Sequence, residues 1–321
     1  MRIAVIGAGL AGLYCAHQLT KHHHHVTVFE KSRGRGGRMA VKRLEWGELD
    51  IGAQYFTARS AEFRDEVANW EALGLAKRWH FEPHKLTPEG LVLSPDNEQR
   101  YVGFPSMNSA AKHLASMVNL KLDTRVGRIE FKDSRWHLFD GNDDVLGFFD
   151  WVIVALPAEQ ASDLIFDQSH IGYLIPNHAH TPTWALGLAT KGQVAPEIQG
   201  VFGDDTVSWL SRLSSKPGRS APNDASDVWM LHFAPDCSRG LVPEQVKAEG
   251  VNWLQQTLNT ELEVVHHYQH FWRYANIQPG VSAPPLIDEE RRIVAIGDWT
   301  QGGRVEGAFL SAQQILNYVF I

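Results

Sequence analysis

Buried parallel strands are predicted where short apolar runs rich in β-branched residues occur. Residues 2–6, 26–29, 151–156 and 292–298 each form such a run, which is typical of a central strand covered on both faces. Between the first two runs, residues 10–21 carry apolar positions at three- and four-residue spacings and predict a helix. The chain therefore opens with a strand–helix–strand unit and later returns twice to the same kind of strand.

A glycine-rich turn follows the first predicted strand. Gly7, Gly9 and Gly12 have the spacing G-x-G-x-x-G, with the strand before them and the helix after them. The first glycine permits a tight turn, the second lets the backbone approach a pyrophosphate, and the third lets the helix pack closely on the strand. Glu30 ends the second strand, where a carboxylate can accept hydrogen bonds from ribose hydroxyls. Together with the N–H groups of the helix N-terminus, these residues predict a bound dinucleotide.

The middle of the chain has a different pattern. Residues 120–150 alternate between apolar and polar as hairpin strands do, and residues 161–284 combine many prolines with strand-like pieces and one helix candidate at 243–259. A last helix is predicted over residues 306–319. The fold class is therefore α/β, with a discontinuous Rossmann-like dinucleotide-binding domain and a second, sheet-based α+β domain for the substrate. The boundaries place residues 1–65, 100–160 and 285–321 in the first domain and residues 66–99 and 161–284 in the second.

Composition and charge exclude several classes of function. The 321 residues carry a formal net charge of −7 and no long basic run, which argues against a nucleic-acid partner. No stretch of about 18 apolar residues is present, which argues against a membrane span. Cys15 and Cys237 are the only cysteines, so neither a disulfide framework nor a cysteine zinc site is expected. With no targeting signal recognised, we expect a cytoplasmic location.

Two further segments indicate which dinucleotide is bound. Residues 33–38 read RGRGGR, and they can either surround a second set of phosphate oxygens or form a solvated basic loop. Asp298, preceded by Gly297, follows a buried strand and could bond a sugar-like polyol. Glycines between residues 302 and 307 then open the last helix, whose N-terminus could stabilise negative charge on the pyrimidine end of a reduced flavin. These features favour a flavin dinucleotide.

The ordered motifs resemble the FAD-dependent amine oxidase superfamily and, within it, the bacterial renalases. The superfamily resemblance is carried by residues 7–12, Glu30, residues 36–38, residues 152–157 and residues 297–298. The closer resemblance to the renalases is carried by residues 50–59, 209–219 and 272–275. The resemblance implies a Rossmann-like FAD-binding domain built from separated segments, a sheet-based substrate domain and FAD held without a covalent bond.

The resemblance also implies an activity and a cofactor site. Bacterial renalases oxidise the 2- and 6-dihydro isomers of NAD(P)H to NAD(P)⁺ and pass the electrons to O₂, which forms H₂O₂. A small-molecule substrate and O₂ are therefore the expected partners. The resemblance places Val126 at the adenine side, and Arg38 with residues 52–54 near the pyrophosphate or flavin. The predicted cofactor-binding residues are Gly7, Gly9, Leu10, Ala11, Gly12, Glu30, Lys31, Gly36, Gly37, Arg38, Gly52, Ala53, Gln54, Val126, Gly297, Asp298, Val305, Glu306 and Ala308.

The expected chemistry needs stacking and proximity more than a general base, so no residue is predicted to be catalytic. Aromatic side chains could line a slot over the flavin, although each could equally belong to the core: Tyr55, Phe56, Trp184, Trp209, Trp272 and Phe309. Thr57, Ala58 and Arg59 follow the family motif and are candidate substrate contacts. Arg212 and Arg219 could either hold substrate phosphates or lie at the surface.

Two other functions stay open from the sequence. An FAD-dependent amine oxidase or desaturase acting on another small substrate would have no arginine placed for phosphate. A flavin-binding module without turnover would hold FAD that no tested reductant reduces rapidly. Whether Arg59 or Arg212 points into the cavity is expected to separate the two oxidase hypotheses.

Several titratable residues are assigned no chemistry. His266, His267 and His270 could meet a metal only on a helix, and the aromatic residues between them favour a strand, so no metal site is predicted. His232 lies between apolar residues and is expected to be a satisfied buried histidine. Lys216 lies in a loop rich in Ser, Pro and Gly, and no role at the flavin can be assigned to it.

Overall fold

The computed structural model describes residues 1–176, 179–278 and 284–316. Within these residues the chain forms 20 strands and seven α-helices. The strands are β1 (Arg2–Ile6), β2 (His25–Phe29), β3 (Val41–Leu44), β4 (Gly47–Asp50), β5 (Ala76–Arg78), β6 (His84–Thr87), β7 (Gly90–Leu93), β8 (Tyr101–Gly103), β9 (Asn119–Lys121), β10 (Arg128–Lys132), β11 (Arg135–Phe139), β12 (Val145–Phe149), β13 (Trp151–Val154), β14 (His180–Lys191), β15 (Gly200–Phe202), β16 (Val207–Arg212), β17 (Asp227–Phe233), β18 (Glu263–Ile277), β19 (Leu286–Asp288) and β20 (Ile293–Ala295). The helices are α1 (Leu10–Lys21), α2 (Ala61–Ala72), α3 (Ser109–Ala115), α4 (Ala158–Ile165), α5 (Pro235–Gly240), α6 (Pro243–Leu258) and α7 (Arg304–Ile315).

A six-stranded sheet, here called the Rossmann sheet, has the order β19-β20-β13-β1-β2-β9. Strand β1 pairs in parallel with β13 on one side and with β2 on the other, and only β19 runs antiparallel to its neighbour. Ile3 and Val5 face one apolar cluster, whereas Ala4 and Ile6 face another. Because both faces are buried, the β-branched runs recognised in the sequence are continuous rather than alternating. The predicted α/β fold with a Rossmann-like domain is confirmed.

A second sheet, here called the mixed sheet, has seven strands in the order β18-β14-β17-β16-β15-β6-β7. Helix α6 covers one face, where Trp253 and Leu254 pack with Leu186 and Leu231. The other face, here called the inner face, carries Ala185, Gly187, Ala189, Met230, His232, Trp209 and Trp272. A Cβ atom at Gly187 would lie 2.6 Å from Leu49 Cδ1. The small residues of β14 therefore let β4 and the turn after it lie directly on the inner face.

The smaller sheets and the element ends complete the fold. Strands β10, β11 and β12 form a three-stranded sheet, and the pairs β3–β4 and β5–β8 are separate two-stranded sheets. Strand β20 ends at Ala295, earlier than predicted, because Asp298–Gln301 forms a short 3-10 helix. Helix α7 starts at Arg304 rather than at residue 306, and the end predicted for it at residue 319 lies outside the described residues. The domain boundaries given above stay a prediction.

No helix in the described part of the chain is both long enough and apolar enough to cross a membrane.

Candidate functional site

The three glycines of the first turn differ in what a larger residue would meet at each position. A Cβ atom at Gly7 would lie 2.4 Å from the Ala155 carbonyl oxygen, and one at Gly12 would lie 2.1 Å from the Gly7 carbonyl oxygen. A Cβ atom at Gly9 would meet no atom within 4 Å, and the φ of Gly9 is −74°, which any residue adopts. The fold therefore requires glycine at positions 7 and 12, whereas only something outside the chain would require it at position 9.

The second glycine segment lies directly over the first. The Gly36 amide donates to the Ala8 carbonyl at 2.8 Å, and Gly36 and Gly37 have φ values of 109° and 54°. A Cβ atom at Gly37 would lie 3.3 Å from Gly9 Cα. Helix α1 begins beside them; its first N–H groups have no intrahelical partner, as in any helix, and no side chain caps them. Two stretches of bare backbone thus meet at a helix N-terminus, an arrangement suited to phosphate oxygens.

The Glu30 carboxylate is fixed at the end of β2. Oε2 accepts from the Ala8 amide at 2.9 Å and Oε1 accepts from the Ser32 amide at 2.9 Å. Each oxygen keeps a lone pair that can accept a ribose hydroxyl. The adjacent Lys31 is exposed, and Val126 is buried in an apolar cluster with Phe29 and Ile129.

Arg38 connects three predicted parts of the cofactor site. Its guanidinium forms a two-pronged pair with Asp298, in which Nη1 donates to Oδ2 at 2.9 Å and Nη2 donates to Oδ1. Its carbonyl accepts from the Ala53 amide at 2.8 Å, and a Cβ atom at Gly52 would lie 1.9 Å from that oxygen. The Asp298 carboxylate, predicted to bond a polyol, is therefore already paired, and its remaining lone pairs are the ones available to a sugar chain.

The start of α7 is tied to the segment that precedes α2. Gly302, Gly303 and Arg304 have positive φ values of 71°, 88° and 73°. The buried Glu306, predicted as a cofactor contact, accepts through Oε1 from the amides of Arg59 at 3.0 Å and Ser60 at 2.6 Å. Glu306 Oε1 therefore holds the backbone before α2, and the contact of Glu306 with the cofactor stays a prediction. Val305 and Ala308 are half-buried and pack on the same apolar cluster as α1.

Three of the six predicted slot aromatics lie around the turn at residues 52–54. Tyr55 is half-buried, and its ring centroid is 5.3 Å from that of Trp209, which in turn lies 4.9 Å from Phe202. Trp272 donates through Nε1 to the Ile51 carbonyl at 2.9 Å. Trp209 and Trp272 project from the inner face, and Ile51 and Tyr55 flank the turn at residues 52–54. This places aromatic rings beside the turn at residues 52–54, here called the predicted flavin loop because the resemblance puts it near the pyrophosphate or flavin.

The other three predicted slot aromatics are core residues instead. Phe56 is 4% exposed and packs on Trp70 and Tyr101, and Phe309 is 1% exposed and packs on Tyr14 and Phe63. Trp184 belongs to the cluster under α6. Because successive side chains of a strand point to opposite faces, Trp184 faces away from the inner face that its neighbour Ala185 shares with His232.

The arginines predicted to hold phosphate are engaged by the protein itself. Arg212 donates through Nε and Nη2 to the Asp227 carboxylate, both at 2.6 Å. Arg219 donates to Asp50 Oδ2 at 2.7 Å and to the Gly103 carbonyl at 2.7 Å. These contacts give Arg212 and Arg219 structural roles, and a contact of either with a substrate phosphate stays a prediction.

The candidate substrate contacts after the motif lie closer to the surface. Arg59 donates to Thr57 Oγ1 and to Glu98 Oε1, both at 2.7 Å, and its side chain is 42% exposed. Ala58 is half-buried against the cluster that contains α1. Arg59 thus keeps its guanidinium in an ion pair with a surface carboxylate.

Sequence reasoning missed a buried lysine beside the predicted flavin loop. Lys216 Nζ donates to Gln54 Oε1 at 2.9 Å, lies 3.6 Å from Asp50 Oδ2, and its side chain is fully buried. Burial lowers the pKa of the Lys216 ammonium to about 7, with Asp50 opposing and Arg219 reinforcing the shift. Loop composition alone predicts exposure for this segment. The ion pairs of the loop with Asp50 could not be seen in the sequence because their partners lie more than 160 positions apart.

His232 is held close to the same turn. Its Nε2 lies 3.3 Å from the Ile51 carbonyl. Burial lowers the pKa of the His232 imidazole to about 4, with the hydrogen bond to Ile51 opposing and Lys216 reinforcing the shift. His232 is half-buried, and its contact with Ile51 is the kind of partner expected for a structural histidine.

The low pKa of Lys216 predicts a stability that depends on pH in a defined window. Between about pH 7 and the ordinary lysine value, the unfolded chain binds a proton that the folded chain does not, so the free energy of unfolding rises with pH. We expect wild type to gain up to about 1.4 kcal/mol per pH unit relative to Lys216→Met between pH 7 and 9. Urea denaturation of the flavin-free proteins measures this difference. Parallel pH profiles for the two proteins would contradict it.

Comparisons with known sequences agree with this geometry. Residues 90–315 match a family model described as flavin containing amine oxidoreductase, and residues 5–68 match one described as NAD(P)-binding Rossmann-like domain. A 4,4'-diapophytoene desaturase from Staphylococcus aureus is 44% identical over 52 residues, which are 16% of this chain and 10% of the desaturase. The match to this curated relative therefore spans about a tenth of its length.

Solved structures share the fold along almost the whole chain. An oxidoreductase from Methanosarcina mazei superposes with a TM-score of 0.77 at 14% identity and covers 99% of this chain and 100% of its own. Cyclohexylamine oxidase from Brevibacterium oxydans superposes with a TM-score of 0.71 at 12% identity and covers 98% and 97%. At these identities the likeness concerns the fold alone.

Proposed function

The chain belongs to the family of flavin containing amine oxidoreductases, and on this basis we propose that it is an FAD-dependent oxidase of isomeric dihydronicotinamide dinucleotides. The substrates are 2- or 6-dihydro-NAD(P), and the products are NAD(P)⁺ and, from O₂, H₂O₂. Membership of this family identifies the cofactor as a flavin. The resemblance of residues 50–59, 209–219 and 272–275 to the bacterial renalases supplies the substrate class.

The residues present fit a non-covalent FAD. The open space at Gly9, the bare backbone of Gly37 and the uncapped start of α1 suit a pyrophosphate. The Glu30 carboxylate suits a ribose, and the pair of Arg38 with Asp298 suits the sugar chain of the flavin. Cys15 is buried in α1, and burial raises the pKa of its thiol to about 12, which makes it a poor nucleophile for a covalent flavin link.

The observation that carries the substrate proposal is the charge behind the aromatic wall. Tyr55 and Trp209 form that wall, and Lys216 lies fully buried behind Gln54. Asp50 is shared by Lys216 and Arg219, so one carboxylate faces two cations. While Lys216 is protonated, at and below about pH 7, a protonated amine approaching this site meets a cation of its own sign, which disfavours its binding. A flat dihydropyridine ring without positive charge stacks on the wall at no such cost.

The residues of this chain bind and orient the substrate, and no side chain has to accept or donate a proton. When bound, FAD would supply the hydride acceptor for the dihydropyridine ring and the route by which the electrons reach O₂. Tyr55 and Trp209 hold the substrate ring by stacking, which supplies proximity to the reacting atoms. The N-terminus of α7 carries a partial positive charge that would favour electron density on the pyrimidine end of a flavin bound beside it.

A second candidate function is an FAD-dependent amine oxidase or desaturase acting on another small substrate. The observation in its favour is that Arg59, Arg212 and Arg219 are each bound to a carboxylate. The guanidinium groups of these three arginines are therefore engaged by carboxylates of the protein rather than presented to a substrate phosphate. A dinucleotide substrate would have to rely on other residues for its phosphates.

The deciding experiment mixes the holoenzyme anaerobically with each reductant and follows bleaching of the flavin by stopped flow. We expect rapid bleaching by 2- or 6-dihydro-NAD, slow bleaching by β-NADH and by a panel of amines, and H₂O₂ after air is admitted. Bleaching by an amine alone would establish the second function. If none of these reductants bleaches the flavin, the protein is a flavin-binding module without turnover.

A matched pair of variants tests the aromatic wall. Trp209→Leu removes a ring from the inner face, and we expect flavin reduction by the dihydro isomers to slow about tenfold or more. Trp184→Leu removes a ring of equal size from the opposite face and should leave the rate within about twofold. Equal losses in the two variants would contradict the proposed stacking. Near-ultraviolet circular dichroism checks that both variants are folded.

We also propose the setting in which the enzyme works. Its partners are the small-molecule substrate and O₂, with neither nucleic acid nor membrane among them, and its location is the cytoplasm. The net charge of −7 supports the exclusion of nucleic acid, because a binding face would need a positive field.

A further inference from the structure

Lys216 carries an inference beyond the proposed reaction. We propose that Lys216 is a positioning residue whose charge acts on the bound flavin through Gln54, so that the flavin site has one internal proton switch. The proposal depends on the flavin of this family and not on the identity of the substrate.

The first step of the argument is the fixed orientation of Gln54. Its Nε2 donates to the carbonyl oxygens of Asp50 at 2.6 Å and Gly52 at 2.8 Å. Both amide hydrogens are thereby used inside the turn, and Oε1 must accept. Lys216 Nζ supplies the hydrogen bond at 2.9 Å. The hydrogen bond from Lys216 therefore fixes the orientation of the Gln54 amide, and that amide holds the backbone from Asp50 to Gly52 in place.

The second step is that the hydrogen bond from Lys216 to Gln54 is kept when Lys216 loses its proton. An ammonium group and a neutral amine both carry N–H donors, so Lys216 can donate to Gln54 Oε1 in either protonation state. Loss of the proton removes one buried positive charge and leaves the hydrogen bonds of the turn in place. A change in flavin properties through this titration would then report charge rather than rearrangement.

The third step is the set of groups that face Lys216. Asp50 of β4 lies 3.6 Å away and is also bound by Arg219, which belongs to the same loop as Lys216. His232 of β17 is the further titratable neighbour, and the Trp79 ring centroid lies 5.3 Å from Nζ. Burial brings the pKa of the ammonium to about 7 among these groups. Because the pKa of His232 is about 4, the histidine stays neutral while Lys216 titrates.

The fourth step connects Gln54 to the cofactor side. The amide of the neighbouring Ala53 donates to the Arg38 carbonyl. Arg38 in turn pairs with Asp298, the first residue of the 3-10 helix that precedes α7. The turn at residues 52–54 therefore lies between the groups suited to FAD and the inner face of the mixed sheet. A positive charge behind this turn favours the electron-rich reduced flavin over the oxidised one.

The test is the midpoint potential of the flavin against pH, measured on the holoenzyme without substrate by equilibration with indicator dyes. We expect the plot of midpoint potential against pH for wild type to change slope near pH 7. Above that pH the potential should fall more steeply than the titration of the flavin alone would give. Lys216→Met should lack the break, and its reduction equilibrium constant should be about tenfold lower than that of wild type at pH 6 and equal to it at pH 9. Lys191→Met is the matched control, because Lys191 is 50% exposed and pairs with Glu263 at the surface.

Each outcome decides the proposal. A gap between wild type and Lys216→Met that closes by pH 9 supports it. A gap of constant size from pH 6 to 9 would assign Lys216 a structural role only and overturn it. If the variant loses its flavin, wild type alone decides, because a potential without a break between pH 6 and 9 overturns the proposal. Failure of the dihydronicotinamide reaction would leave these potentials unaffected, so the two proposals fail separately.

Discussion

Valine at position 12 should prevent folding, whereas valine at position 9 should leave a folded protein that has lost its flavin. At Gly12 the new Cβ atom would lie 2.1 Å from the Gly7 carbonyl oxygen, a backbone atom that cannot move without breaking the first turn. At Gly9 the new side chain meets no atom of the chain, and the φ of −74° suits any residue. The methyl groups would fill the space left for the pyrophosphate.

Soluble yield, thermal unfolding and flavin affinity check this pair together. We expect little soluble Gly12→Val, and Gly9→Val with the thermal stability of flavin-free wild type. The affinity of Gly9→Val for FAD should fall at least about a hundredfold, equivalent to about 2.7 kcal/mol. Gly34→Val is the control, because Gly34 is exposed and its Cβ atom would also meet nothing. Wild-type affinity in Gly9→Val would mean that the dinucleotide does not lie over the first turn.

Removal of the Arg212 guanidinium should destabilise the fold without changing phosphate selectivity. Arg212 and Asp227 have side-chain exposures of 14% and 8%, so Arg212→Met leaves a buried carboxylate without its cation. Such a loss costs about 3 kcal/mol or more. Ser214 still donates to Asp227 Oδ1 at 2.8 Å, which keeps the cost from being larger.

Urea denaturation measures that cost, and flavin reduction by 2-dihydro-NAD and 2-dihydro-NADP measures selectivity. We expect the ratio of the two reduction rates to match that of wild type within about twofold, because the guanidinium is committed to Asp227. The control is Arg43→Met, which breaks an exposed pair with Glu48 and should cost under about 1 kcal/mol. A selective loss with the 2′-phosphorylated substrate would return Arg212 to the phosphate-binding role that the sequence suggested.

The dinucleotide end of the site was readable from the sequence because its determinants are local. A strand, three glycines, a helix and an acidic residue lie within the first 30 positions, and each acts through its own backbone or its own strand end. The parallel strands were also readable, since strands such as β1 and β13 are buried on both faces and need continuous apolar runs. Local patterns of this kind carry their structural meaning without knowledge of distant partners.

The substrate end was decided by tertiary structure. The face on which Trp184 or Trp209 lies depends on strand register, and a shift of one residue reverses it. The role of Arg212 depends on Asp227, and the burial of Lys216 depends on Gln54, which is 162 positions away. The sequence alone therefore determined a Rossmann-like fold and the glycine-rich turn that we propose holds the phosphates of the cofactor. Only tertiary packing decided which aromatic rings, arginines and lysine meet the site, because burial and ion pairing arise from contacts between distant segments.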